Sequence, residues 1–131
     1  MAGEKVLVVD DQADVVELLE SSFALRGYEV ISACNGQEAL AKVYQEQPDV
    51  VLLDIMMPVF DGYEICRILK NNAETKHIPI IFITAKGRQA DIERGFELRA
   101  DGYVVKPFEP FELTDFTEKI LAKTRQSNPA I

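Results

Sequence analysis

Two apolar periods alternate along the chain. Short runs rich in Val and Ile at 5–9, 28–32, 49–53, 80–84 and 102–105 predict strands buried on both faces, as in a parallel sheet covered by helices. Between them apolar positions recur three and four apart, which predicts helices with one buried stripe. In the first, Val15, Leu18, Leu19, Ser22 and Phe23 share a stripe behind Asp10 and Asp11 as candidate caps, with Gly27 placed to end it. A second covers 36–46 and stops before Gln47-Pro48, and a third covers 61–70 with Ile65, Ile68 and Leu69 on one face. The segment 88–98 has a weaker stripe, whereas 110–123 carries Phe111, Leu113, Phe116, Ile120 and Leu121.

Five β–α units joined by right-handed crossovers leave few topologies. The expected fold is α/β, a flavodoxin-like (βα)5 three-layer sandwich with a parallel five-stranded sheet of order 2-1-3-4-5. Residues 1–124 fit one domain, and 125–131 read as a polar tail or the start of a linker. In such sheets ligands bind beyond the carboxyl ends of the strands, at the switch point between strands 1 and 3. The residues that end strands 1, 3, 4 and 5 are polar: Asp10 and Asp11, Asp54, Thr84 and Lys106.

Charge narrows the partners. With 22 acidic against 14 basic residues the net charge is −8, which repels phosphate backbones and excludes direct nucleic-acid binding as the expectation. The longest apolar runs, such as 80–83, are far too short to span a bilayer, so no membrane segment is expected. The N-terminus lacks the pattern of a secretory signal, and Cys34 and Cys66 have no ligand-like spacing. Two buried thiols in a reducing cytoplasm are the expectation.

Asp54 poses the chemical question, since it directly follows the apolar run Val50-Val51-Leu52-Leu53. A charge beside a core needs partners. The topology supplies Asp10 and Asp11 from the neighbouring strand, and three close anions cannot all stay ionised without a cation. Oxygen-only ligands favour Mg2+, with Mn2+ as the alternative, and Mg2+ commonly completes its shell with water and phosphate oxygens. Lys106 is then placed to neutralise a phosphoryl oxygen, with the Thr84 hydroxyl and backbone amides near Ala85 on the others. A carboxylate between metal and lysine is a candidate nucleophile, and Asp54 is central.

The fragments "VLVVDDQ", "DVVLLDIMMPVFDGYEICRILK", "IPIIFITAK" and "ADGYVVKPF" carry a resemblance over nearly the whole length. In this order and on these strand ends, the chain resembles the CheY-like receiver domains of two-component response regulators. The resemblance implies that Asp54 is the phosphoacceptor, that Asp10, Asp11 and Asp54 bind Mg2+, and that the Met56 backbone carbonyl is a further ligand. It implies that Thr84 and Lys106 contact the phosphoryl group, that Thr84 and Tyr103 form a switch, and that Lys106–Pro107 is a cis peptide at Pro107. The implied phosphodonor is a phosphohistidine on a sensor histidine kinase or phosphotransfer protein. The implied readout is a downstream effector protein or a fused output domain, reached through helix 4, strand 5 and helix 5, in a monomer or a phosphorylation-dependent homodimer. Such a protein is a switch that catalyses its own phosphorylation and dephosphorylation rather than a turnover enzyme.

Other readings compete residue by residue. Asp10 and Asp11 alone suit a solvated cap, Met56 and Met57 suit core filler or loop surface, Thr84 suits a strand end, and Tyr103 suits a half-buried strand aromatic. His77, in a polar loop without partners, reads as an ordinary surface residue. A flavin-binding electron carrier is disfavoured because "DDQAD" would repel the flavin phosphate. A phosphatase of the haloacid dehalogenase type wants Asp-x-Asp-x-Thr on its first strand, which neither "VVDDQ" nor "LLDIMMP" supplies. A phosphorylation-independent interaction module is the remaining alternative. Met56 and Lys86 flank the site without a group suited to orient water, which predicts a slowly hydrolysed phosphoryl group.

Overall fold

The computed structural model describes residues 3–127. Five strands and five helices alternate: β1 (Lys5–Val9), α1 (Ala13–Leu25), β2 (Glu29–Ala33), α2 (Gly36–Glu46), β3 (Val50–Leu53), α3 (Gly62–Lys70), β4 (Ile80–Thr84), α4 (Gln89–Glu97), β5 (Gly102–Val105) and α5 (Pro110–Ser127). All strand pairs are parallel, in the order β2-β1-β3-β4-β5. The expected α/β sandwich is the fold observed.

Residue alternation along each strand divides the core in two. Val6 and Val8 of β1 point with Leu52, Ile81 and Ile83 toward Leu19 and Phe23 of α1 and Leu113 and Leu121 of α5. Leu7 and Val9 point the other way with Val51, Leu53 and Phe82, toward Ala39, Val43, Ile65 and Leu69 of α2 and α3. The third layer is completed by α4, whose only buried residue is Gly95, in keeping with its weak stripe. Lys70 ties this face to the sheet: its Nζ donates to the Ile78 carbonyl and to Asp101 Oδ2, each at 3.0 Å, and the same oxygen accepts the Ile80 amide.

Several local expectations are corrected. The second strand lies one residue later than the apolar run because the Tyr28 amide is taken by the Phe23 carbonyl as α1 closes, with Gly27 at φ +89°. Neither Asp10 nor Asp11 is the N-cap of α1; Gln12 occupies that position, and its side chain makes no capping hydrogen bond. Cys34 is exposed, since it follows the edge strand just before the α2 cap Asn35, while Cys66 is buried as expected. The last helix continues to Ser127, past the 123 where its stripe ends, and of the expected tail residues 128–131 lie outside the described residues. Among the described residues no helix is long and apolar enough to cross a membrane.

Candidate functional site

Backbone pairing continues one residue past the strands and sets the site. The Asp10 amide donates to the Ala33 carbonyl at 3.2 Å, and the Asp54 amide to the Val9 carbonyl at 2.9 Å. Asp54 therefore stands beside Asp10. On the other side the Lys106 amide donates to the Thr84 carbonyl at 2.8 Å, which starts the lysine from the end of β5. The Lys106–Pro107 peptide is cis.

The side chains converge. Lys106 Nζ donates to Asp10 Oδ2 at 2.9 Å, Gln12 Oε1 at 3.1 Å and Asp54 Oδ2 at 3.4 Å. Asp10 Oδ1 accepts the Gln12 amide at 2.9 Å and Asp54 Oδ1 the Met56 amide at 3.2 Å. One carboxylate oxygen from each of Asp10, Asp11 and Asp54 lies within 4.8 Å of the others; Asp10 and Asp54 are buried and Asp11 is exposed. A cavity of about 310 Å3 opens above them, lined by Asp11, Gln12, Asp54, Met56, Ala85 and Lys106.

Electrostatics follow from this crowding. Burial raises the Asp54 carboxyl above the ordinary aspartate value, and the Asp10 charge adds to it; the Met56 amide and Lys106 oppose without cancelling. For Lys106 burial pulls down, but the Asp10 hydrogen bond and the Asp54 charge leave the ammonium more firmly protonated than usual. An all-oxygen donor set with a protein-raised carboxyl is a site that a hard divalent cation fits.

Thr84 is fully buried at the end of β4, and the cavity wall beside it is Ala85. Its Oγ1 accepts the Lys86 amide at 3.3 Å, while the Lys86 carbonyl accepts the Tyr103 hydroxyl at 2.8 Å. One residue thus links the threonine to the tyrosine. The Tyr103 ring lies inward, 5.8 Å from Phe82, where an added Cβ on Gly95 would fall 3.0 Å from it. Met56 is exposed at the cavity while Met57 is buried, and His77 is exposed.

Gln12 and Gly62 escaped the sequence reading. A glutamine after two aspartates has no spacing signal; its one weak mark is that it stands where Ser, Thr, Asp or Asn is the usual cap. Gly62 packs against the backbone of Asp54 and Ile55, a closeness visible only in three dimensions.

A family model described as the response regulator receiver domain matches residues 6–118. The chain belongs to the response regulator receiver family. This receiver domain is 40% identical over 128 residues to the alkaline phosphatase synthesis transcriptional regulatory protein PhoP of Bacillus subtilis, covering 98% of this chain and 52% of PhoP. The receiver spans about half the length of the curated relatives it matches. Among solved structures it is similar to the chemotaxis response regulator CheY4 of Vibrio cholerae, with TM-score 0.85, 32% identity, and 91% and 99% of the two chains covered. It is also similar to the BeF3-activated DrrB receiver domain, with TM-score 0.82, 32% identity and 92% and 98% coverage. It is therefore a signalling module of the two-component class.

Proposed function

We propose that this receiver accepts a phosphoryl group from a phosphohistidine onto Asp54 and thereby switches a protein-interaction surface. The observation that carries the reading is the placement of Asp54 within 3.4 Å of the Lys106 ammonium, beside two further carboxylates and below an open cavity. Asp10, Asp11 and Asp54, with the Met56 carbonyl, would hold Mg2+ or Mn2+, which supplies neutralising charge to phosphoryl oxygens. In the transfer an Asp54 carboxylate oxygen bonds to phosphorus as the P–N bond of the donor breaks. The imidazole leaves with the bonding pair and takes a proton from solvent. Lys106 faces a phosphoryl oxygen from its place beside Asp54, and the Thr84 hydroxyl turns to another. The activation of the DrrB receiver by BeF3, a phosphoryl-sized anion, supports the assignment.

The signal leaves through Lys86. A Thr84 drawn toward the phosphoryl group releases the Lys86 amide, and the Lys86 carbonyl holds Tyr103 against α4. The exposed Phe96 and Val105 belong to the α4-β5-α5 surface that this biases. The donor is a sensor histidine kinase or phosphotransfer protein in the cytoplasm. The output is a separate effector or a fused domain, the latter supported by relatives twice as long that are transcriptional regulators, and the active form is a monomer or homodimer.

Intact-protein mass spectrometry after incubation with a small phosphodonor and Mg2+ tests the reading. One added phosphoryl group on the native chain, dependent on Mg2+ and absent from Asp54→Asn, is expected; no gain with any donor would move the interaction-module reading to first place. The phosphorylated chain should also be long-lived, because the exposed Met56 side chain at the cavity offers no hydrogen bond to an attacking water. Met56→Asn is expected to speed loss of the phosphoryl group by about tenfold, read as decay of the phosphorylated mass. An unchanged decay rate would show that residue 56 does not control access.

A further inference from the structure

Gln12 stands at the N-cap of α1 with extended backbone, φ −95° and ψ 111°, yet its side chain makes no capping hydrogen bond. The caps of α2 and α3, Asn35 and Asp61, accept the amides of Glu38 and Glu64 in the usual way. A short side-chain oxygen suits that task, and glutamine is a methylene too long for it. Its Oε1 instead reaches Lys106 Nζ, at 3.1 Å. An ammonium has three N–H donors, and here they meet Asp10, Gln12 and Asp54. The two carboxylates among these acceptors are also cation ligand candidates, together with Asp11. Gln12 is the neutral acceptor of the three.

We infer that Gln12 is the positioning residue of Lys106, retaining the ammonium beside Asp54 when a divalent cation takes the carboxylate oxygens of Asp10 and Asp54. The inference rests on the reading of the three aspartates as a cation site. A cation that binds those oxygens withdraws acceptors from the ammonium of a lysine whose side chain is only 16% exposed, and an N–H left without a partner there is costly. Gln12 supplies an acceptor that the cation does not claim. Neutrality matters, because a carboxylate in its place would add a fourth anion to a cavity that must admit a phosphoryl donor.

The test is a double-mutant cycle on Mg2+ affinity, read from amide chemical shifts without phosphorylation. Gln12→Met keeps the length and removes the acceptor. It is expected to weaken Mg2+ binding about threefold to tenfold in the otherwise native chain, the worth of one hydrogen bond. It should change nothing in a Lys106→Met background, where no ammonium needs an acceptor. Equal weakening in both backgrounds, as a lost helix cap or local unfolding would give, overturns the inference, and so does no weakening in either. Hydrogen exchange of the Lys106 ammonium in metal-free protein reads the contact directly: it should quicken in Gln12→Met and slow again in Gln12→Glu. If Mg2+ does not bind the native chain, the cation reading of the site falls, and unchanged ammonium exchange then overturns the role of Gln12 by itself.

Discussion

At pH 7 the Asp54→Asn chain is expected to unfold about 3 to 6 °C above the native chain, on the order of 1 kcal/mol for a domain of this size. Asp54 is 4% exposed, and its carboxyl titrates above the ordinary value of 3.8 because burial and then Asp10 disfavour its charge. A native state that holds the proton more tightly than the unfolded chain is weakened when that proton leaves. The penalty is absent below pH 3.8, where the residue is protonated in both states, and it grows as pH rises through the raised native value. Asparagine keeps the shape and removes the charge. Its loss of the contact to Lys106 is limited, since the ammonium keeps Asp10 and Gln12. Thermal unfolding between pH 3 and 8 should therefore show a gap that opens with pH. Saturating Mg2+ should close it by stabilising the native chain more than the variant. A variant that melts lower at pH 7 would mean that the ion pair with Lys106 outweighs the crowding of carboxylates.

Why some of this is legible in sequence and some is not follows from the range of the interactions concerned. Strands such as Ile80–Thr84 and helices such as Gly36–Glu46 announce themselves because burial on a fixed period is a local pattern. The placement of Asp10, Asp54, Thr84 and Lys106 at strand ends follows from the same pattern once the strand order is known. What the pattern does not hold is where single hydrogen bonds go. Tyr28 looks like strand, but its amide completes the end of α1, and Asp10 looks like a cap, but its oxygens serve Gln12 and Lys106. Cys34 directly follows the Val- and Ile-containing run of β2 in sequence, yet its place past the end of an edge strand leaves it exposed. The link from Thr84 through both backbone groups of Lys86 to Tyr103 involves no recognisable residue type at its centre. Gln12 and Gly62 are of the same kind: their roles are set by what the fold brings against them.

Gly62→Ala should cost about 3 kcal/mol and slow phosphoryl uptake at least tenfold, although the substitution is helix-favouring and lies in the first turn of α3. Gly62 has no positive φ, so conformational freedom is not what it provides. It provides space: an added Cβ would meet the Asp54 carbonyl oxygen and would lie 2.8 Å from Ile55 Cα and 3.0 Å from the Asp54 carbonyl carbon. These are backbone atoms in the segment that carries Asp54, held from the other side by the bond from the Asp54 amide to Val9. They cannot rotate away as a side chain would. Relief must come from moving α3 or the segment after β3, and the bond from the Gly62 amide to the Ile55 carbonyl, 2.9 Å, lies directly in the path. A displacement of even part of an ångström at Asp54 disturbs its alignment with Lys106, and misplacements near 1 Å cost about a hundredfold in rate. Gly87→Ala is the matched control. Its Cβ would meet only the side chain of Val105, at 3.0 Å, on a half-exposed residue that can shift, so melting temperature and uptake should stay near native. Denaturant unfolding and the rate of phosphoryl gain, measured on both variants, separate the cases. A Gly62→Ala chain as stable and as fast as the control would show that the segment after Asp54 is softer than its packing implies, and that the placement of Asp54 does not depend on the close approach of α3.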